Sequence, residues 1–190
     1  MENAIELEGV EKRFGAKVAV DGLSLEVPRG CIYGFLGPNG AGKTTTLRMI
    51  IGIFYPDAGR LSVLGQSDPA SVKERIGYLP EERGLYEKMR VRDLMTYFGQ
   101  LKGMETGLAR KRASELLQRY GLGESADKKC QALSKGMAQK AQILATLIHE
   151  PELIILDEPF SGLDPLNRDL MRDLILQLKR EGRSVIFSTH

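Results

Sequence analysis

The stretch Gly37-Pro38-Asn39-Gly40-Ala41-Gly42-Lys43-Thr44 constrains this chain more than any other, because it fits the pattern G-x-x-x-x-G-K-[ST]. The pattern carries meaning only between a strand and a helix, and that context is present. Cys31-Ile32-Tyr33-Gly34-Phe35-Leu36 reads as a short buried strand, and Thr45-Thr46-Leu47-Arg48-Met49-Ile50-Ile51 places its apolar residues on one helical face. Glycines let the backbone curl closely around phosphate with several N–H groups aimed at its oxygens. Lys43 is then placed to neutralise the outer phosphates of a nucleoside triphosphate, and the hydroxyl of Thr44 to meet the Mg2+ that travels with it. The helix aims its positive end at the same anion.

Leu153-Ile154-Ile155-Leu156 is an apolar strand that ends in two carboxylates, Asp157 and Glu158. Ligands of a parallel sheet collect at the carboxyl ends of its strands, so Asp157 is expected at the same edge as Gly37–Thr44. Asp157 suits Mg2+, directly or through water, while Glu158 points past the metal to where an attacking water would sit. An unperturbed glutamate titrates near about 4.3, below the range of an effective general base at neutral pH. Either its surroundings raise that value or Glu158 mainly orients the water.

The rest of the pattern is α/β. Residues 4–27 alternate apolar and polar around Gly15 and Gly22, which suggests antiparallel strands, and Leu61–Gly65 and Ile76–Pro80 read as further strands. From about Arg83 to Cys130 the pattern turns helical. Leu94, Tyr97, Phe98 and Leu101 fall at helical spacing, as do Leu108, Leu116, Leu117 and Tyr120, with Gly99, Gly103, Gly107 and Gly121 as punctuation. Helices are then expected from about Lys135 to His149 and Pro165 to Arg180, with a last strand Ser184–Ser188. Their apolar lines are Met137, Ala141, Leu144 and Ile148 in the first, and Leu166, Leu170, Leu174 and Leu178 in the second. Alternating strands and helices imply a mostly parallel sheet. The expected organisation is one domain over residues 1–190, with core segments 1–82 and 131–190 and a helical subdomain of about 83–130.

Composition removes several function classes. A net charge of +2 gives no electrostatic case for nucleic-acid binding, and Arg110-Lys111-Arg112 with Arg119 reads as a solvated helix face. The start Met1–Glu8 is acidic and alternating, so it is a strand and not a signal or transit peptide. No apolar run nears the roughly 20 residues of a membrane span, so any membrane association is expected to be peripheral. Cys31 lies in an apolar strand and Cys130 in a polar turn, without metal-site spacing, which fits a reducing cytoplasm. His149, at a helix end before Pro151, is expected to act on the helix dipole or in packing.

Leu133-Ser134-Lys135-Gly136-Met137 opens a second helix, which Ser134 is placed to cap. Capping accounts for Ser134 alone, but the stretch is also a second helix N-terminus with small residues and a cation. One bound nucleotide cannot easily use both starts within one chain.

With these motifs in order, the chain resembles the ATP-binding-cassette (ABC) ATPases, the nucleotide-binding subunits of membrane transporters. The shared features are the phosphate loop, Leu133–Met137 (resembling the signature LSGGQ), Leu153–Glu158, Ser161-Gly162-Leu163-Asp164 and Ser188-Thr189-His190. The resemblance covers essentially the whole chain and implies a P-loop NTPase core with an N-terminal antiparallel β subdomain and an inserted helical subdomain. It implies that two subunits, here expected as a homodimer, pair head to tail, the signature of one closing on the γ-phosphate held by the other. It further implies that Gly37, Pro38, Asn39, Gly40, Ala41, Gly42, Lys43, Thr44 and Thr45 bind ATP and Mg2+, that Ser134 and Gly136 contact the opposing nucleotide, and that Asp164 relays across the dimer. Phe14 would stack on adenine and His190 would hold the γ-phosphate, beside Glu158 and Lys43 in catalysis. Glu81 stands where the family has a metal-side glutamine, so the expected metal set is Thr44, Asp157 and Glu81.

The segment Arg83–Met89, after Pro80-Glu81-Glu82, looks most like ATPase subunits of bacterial sodium or drug exporters. The expected partner is an integral membrane permease, and the expected place the cytoplasmic face of the cell membrane. Family members usually continue past a residue such as His190, so a truncated chain is expected. Two other readings of the same residues are a soluble ABC ATPase of translation, repair or cluster assembly, and a nucleotide-gated binding module without turnover.

Overall fold

The computed structural model describes residues 2–81, 84 and 86–190. Strands β1 (Asn3–Phe14) and β2 (Lys17–Pro28) form an antiparallel pair, and β4 (Ala58–Val63) adds to β1 on its other side. The second sheet is parallel, in the order β3 (Ile32–Leu36), β7 (Ser184–Thr189), β6 (Leu153–Leu156), β5 (Ile76–Leu79). All four residues of β6 are fully buried, as expected for a parallel strand covered on both faces.

The alternation of side chains along the parallel strands sorts the core into two halves. Ile154, Leu156 and Val185 face a cluster built with α2 (Val91–Leu101), α3 (Thr106–Arg119), α4 (Lys135–Leu147) and α5 (Pro165–Arg180). Leu153, Ile155 and Ile186 face the opposite way, onto α1 (Lys43–Ile50) and the antiparallel sheet through Leu47, Ile50, Ile5, Leu7 and Val63. Each face therefore has its own covering layer, and the sheet is held between them.

Several expectations change at this level. Gly99 lies inside α2 and does not punctuate it, while Gly107 is in the first turn of α3. At Gly99 a Cβ would come within 2.9 Å of the Ala109 Cβ, so the glycine is there for the close approach of the two helices. Cys130 is buried in a short 3-10 turn, not set in a polar one. Arg112 and Arg119 are not simply solvated, since they form ion pairs with Glu150 and Glu181 that tie α3 to the core. On α5, Leu166 and Leu170 are exposed, and the buried face is Met171, Leu174, Ile175 and Leu178. Glu82, Arg83 and Leu85 of the exporter-like segment lie outside the described residues. Among the described residues no helix is long and apolar enough to cross a membrane.

Candidate functional site

The parallel register sets the site. Leu156 pairs with Phe187 and Ser188 with Phe35, so the residues that follow β3, β6 and β7 emerge together at one edge. Gly37–Gly42 leave β3 there and turn directly into α1. Gly42 is the residue before the helix, with φ +86° and no side-chain cap. A Cβ on Gly42 would fall 2.3 Å from the Ala19 carbonyl oxygen of β2, so only glycine lets the loop pass so close to the antiparallel sheet. The amides of a helix's first turn have no intrahelical partners, and here they face a cavity of about 290 Å³. Lys17, Ala19, Asn39–Thr45, Glu81 and Glu158 line it.

Lys43 is only 7% exposed, and its ammonium group turns back to donate to the carbonyls of Gly37 and Pro38, the second at 3.1 Å. It also lies 3.8 Å from a Glu158 carboxylate oxygen. The hydroxyl of Thr44 donates to Asp157 Oδ1 at 3.3 Å, and Ser188 donates to the same oxygen at 2.6 Å. Asp157 Oδ2 is buried and lacks a hydrogen-bond partner among the described residues. A buried carboxylate oxygen left open beside a threonine hydroxyl suits a hard cation such as Mg2+. Among the described residues no group of three His, Cys, Asp or Glu side chains is placed to hold a metal ion.

Glu158 is 7% exposed and has φ +49°, a left-handed backbone rare for a residue other than glycine. Its amide donates to Ser188 Oγ at 2.9 Å, and its carboxylate Oε2 lies 3.1 Å from His190 Nδ1. The structure thus brings together Gly37–Thr45, Asp157, Glu158 and His190, with Glu81 exposed at the cavity wall. Lys17 and Ala19 line the same cavity and carry no motif signal of their own, while Ser188, quoted only as part of Ser188-Thr189-His190, turns out to bond both Asp157 and the Glu158 amide.

The remaining expected residues lie elsewhere. Ser134 accepts a hydrogen bond from the Met137 amide and caps α4. Asp164 caps α5 by accepting from the Asn167 amide at 2.9 Å, and the hydrogen bonds from Asn167 hold its carboxyl below the usual range. Gly136 is pressed by the Asn167 side chain, which also donates to Asp164 at 2.7 Å. Phe14 ends β1 half-exposed, its ring 5.2 Å from Phe54 in an edge-on pair, and does not line the cavity. Its strand partner Lys17 does. His149, expected at the helix dipole or in packing, sits part-buried with Nε2 at 3.1 Å from the Ile76 carbonyl. Burial and the nearby Lys102 charge depress its pKa to about 4, so it is neutral at physiological pH.

Fold and cavity together define an α/β domain with a glycine-rich loop opening a helix beside a buried aspartate and an adjacent glutamate. Comparison with known proteins gives the family. The family model described as "ABC transporter" matches residues 20–161. The uncharacterized ABC transporter ATP-binding protein YhaQ of Bacillus subtilis is 48% identical over 184 residues, 97% of this chain and 62% of its own length. The Nod factor export ATP-binding protein I of Burkholderia lata is 40% identical over 98% of this chain and 62% of its own. Among solved structures, cbiO1 of Clostridium perfringens, part of the ABC transporter complex cbiONQ, superposes with a TM-score of 0.90 at 26% identity. That match covers 100% of this chain and 79% of that one. The chain belongs to the ABC transporter family and has the α/β P-loop NTPase fold. It spans 62% of the length of each of the two relatives.

Proposed function

We propose that the chain binds and hydrolyses ATP with Mg2+ and powers an ABC transporter, in the export direction, as one half of a head-to-tail homodimer. The observation that carries this reading is the convergence of Lys43, Thr44, Asp157 and Glu158 on one sheet edge, through contacts of 3.3 Å between Thr44 and Asp157 and 3.8 Å between Lys43 and Glu158. Loop amides and Lys43 hold the phosphates. Thr44 and Asp157 hold Mg2+, which neutralises charge on the phosphate oxygens; Glu81 stands at the same cavity as a further oxygen donor. Glu158 orients water and accepts its proton, with His190 fixing the carboxylate and reaching the γ-phosphate. Phe14 stacks on the adenine.

The second helix start supports a dimer. Ser134 and Gly136 lie outside the loop cavity, so they serve a nucleotide held by another copy, and Asp164 relays between the two sites. The partner is an integral membrane permease, and the subunit works peripherally on the cytoplasmic face, without nucleic acid. Export is favoured by relatives such as the Nod factor export protein.

The test is Glu158→Gln. ATP binding is expected to persist, with a stable ATP-dependent dimer and phosphate release reduced by at least about 100-fold. Undiminished phosphate release would remove Glu158 from the reaction. Pull-down from membranes should recover an integral membrane protein; recovery of ribosomes or DNA instead would overturn the transport reading.

A further inference from the structure

Glu158 is held in a conformation that its own sequence opposes. Proline restricts the residue before it to extended backbone with negative φ, yet Glu158 precedes Pro159 and has φ +49°. Such a residue persists only where its neighbours over-determine it. On the N-terminal side the neighbour is Ser188, which accepts from the Glu158 amide at 2.9 Å. On the C-terminal side it is Gln139 of α4, whose side-chain amide donates to the Pro159 carbonyl.

Gln139 is itself 2% exposed, and its Oε1 is buried with no partner among the described residues. A half-satisfied buried amide destabilises a core compared with an apolar side chain of the same shape. Packing therefore does not account for a glutamine here, whereas its grip on the Pro159 carbonyl does. We infer that Gln139 is a positioning residue for Glu158, clamping the strained Glu158–Pro159 unit from α4. The clamp sits on the helix that begins just after Ser134, and the same helix touches the following turn again. A Cβ on Gly162 would lie 2.8 Å from the Lys135 ammonium. A shift of α4 is thus transmitted to the Glu158 carboxylate of the same chain.

The inference rests on the proposed hydrolytic role of Glu158, and Gln139→Met separates the two. Methionine keeps length and volume while removing both the donor and the orphaned acceptor. The full chain should become as stable as wild type or more so, with KM for ATP within about twofold and kcat down about 10- to 100-fold, the range a misplaced catalytic group gives. Amide exchange at Ser161, whose N–H bonds the Glu158 carbonyl at 3.2 Å, should speed up about tenfold. Thr146→Val, which removes a hydroxyl bonded to its own helix at Gln142, serves as control and should leave kcat within about twofold. Unchanged exchange at Ser161 overturns the inference, as does unchanged kcat, or stability and kcat falling together. If wild type releases no phosphate, the hydrolytic reading falls and the exchange at Ser161 alone decides whether Gln139 holds the turn.

Discussion

Helices α1 and α4 both begin with a lysine, and neither carries an acid in its first turn. Their surroundings differ in one respect that decides what each can do. The residue before α1 is Gly42, which offers no side-chain cap, so the first-turn amides stay open toward a cavity and Lys43 is buried beside them. The residue before α4 is Ser134, which takes up the Met137 amide, while Lys135 lies exposed on the surface. The same helix electrostatics thus give an enclosing site in one place and a presenting surface in the other. The first encloses its open amides in a cavity; the second has its amide capped and lies open at the surface.

The glycines of the two starts should break most unequally. Gly42→Ala forces a Cβ to 2.3 Å from a backbone oxygen at φ +86°, and is expected to cost about 3 kcal/mol in urea unfolding, from left-handed strain plus overpacking. Gly136→Ala meets only the movable amide of Asn167 and should cost about 1 kcal/mol or less. Equal losses would mean that the two starts are equally rigid. Next, Lys43→Ala should weaken ATP binding by the isolated subunit about 100-fold, the scale of a lost charge-assisted contact, measured by titration calorimetry. Ser134→Ala should leave that affinity within about twofold; a comparable fall would place Ser134 in the subunit's own site.

A pH-dependent effect is expected just past the C-terminal end of α4. His149 has a folded pKa of about 4 against an ordinary 6.5, so the unfolded chain binds the extra proton between those values. Its neutral-state contribution is full above pH 6.5 and is lost as pH falls toward 4. A series of unfolding curves across that window should show the decline, and His149→Gln should flatten it. A wild-type profile without slope there would mean that the ring is solvated.

Strands and helices were legible because their periods are local. The misreadings came from geometry that a single line of residues hides. Stepping four residues at a time along α5 drifts about 40° per step, so Leu166 and Leu178 sit about 120° apart and cannot share a buried face. The face that is buried steps by three and by one as well, through Met171, Leu174, Ile175 and Leu178. Gly99 looked like punctuation because glycine opens turns, whereas the facing Ala109 demanded a missing side chain. In the candidate site, Gly37–Thr44 and Asp157-Glu158 were legible as contiguous motifs. The contact of Ser188 with Glu158 and the whole of Gln139 were not, because each is one polar side chain brought to Glu158 only by folding. Gln139 lies off the Met137–Ile148 line, on a face of α4 shared with the buried Ile143 and Thr146.

Position 158 also says how variants of this chain would behave under different screens. Left-handed backbone favours glycine, so a library sorted for thermal endurance alone should enrich glycine there. A library sorted for phosphate release should reject the same clones. The two screens would pull that codon in opposite directions, and the distance between their winners would measure how much foldability the chain forgoes to keep a carboxylate in place.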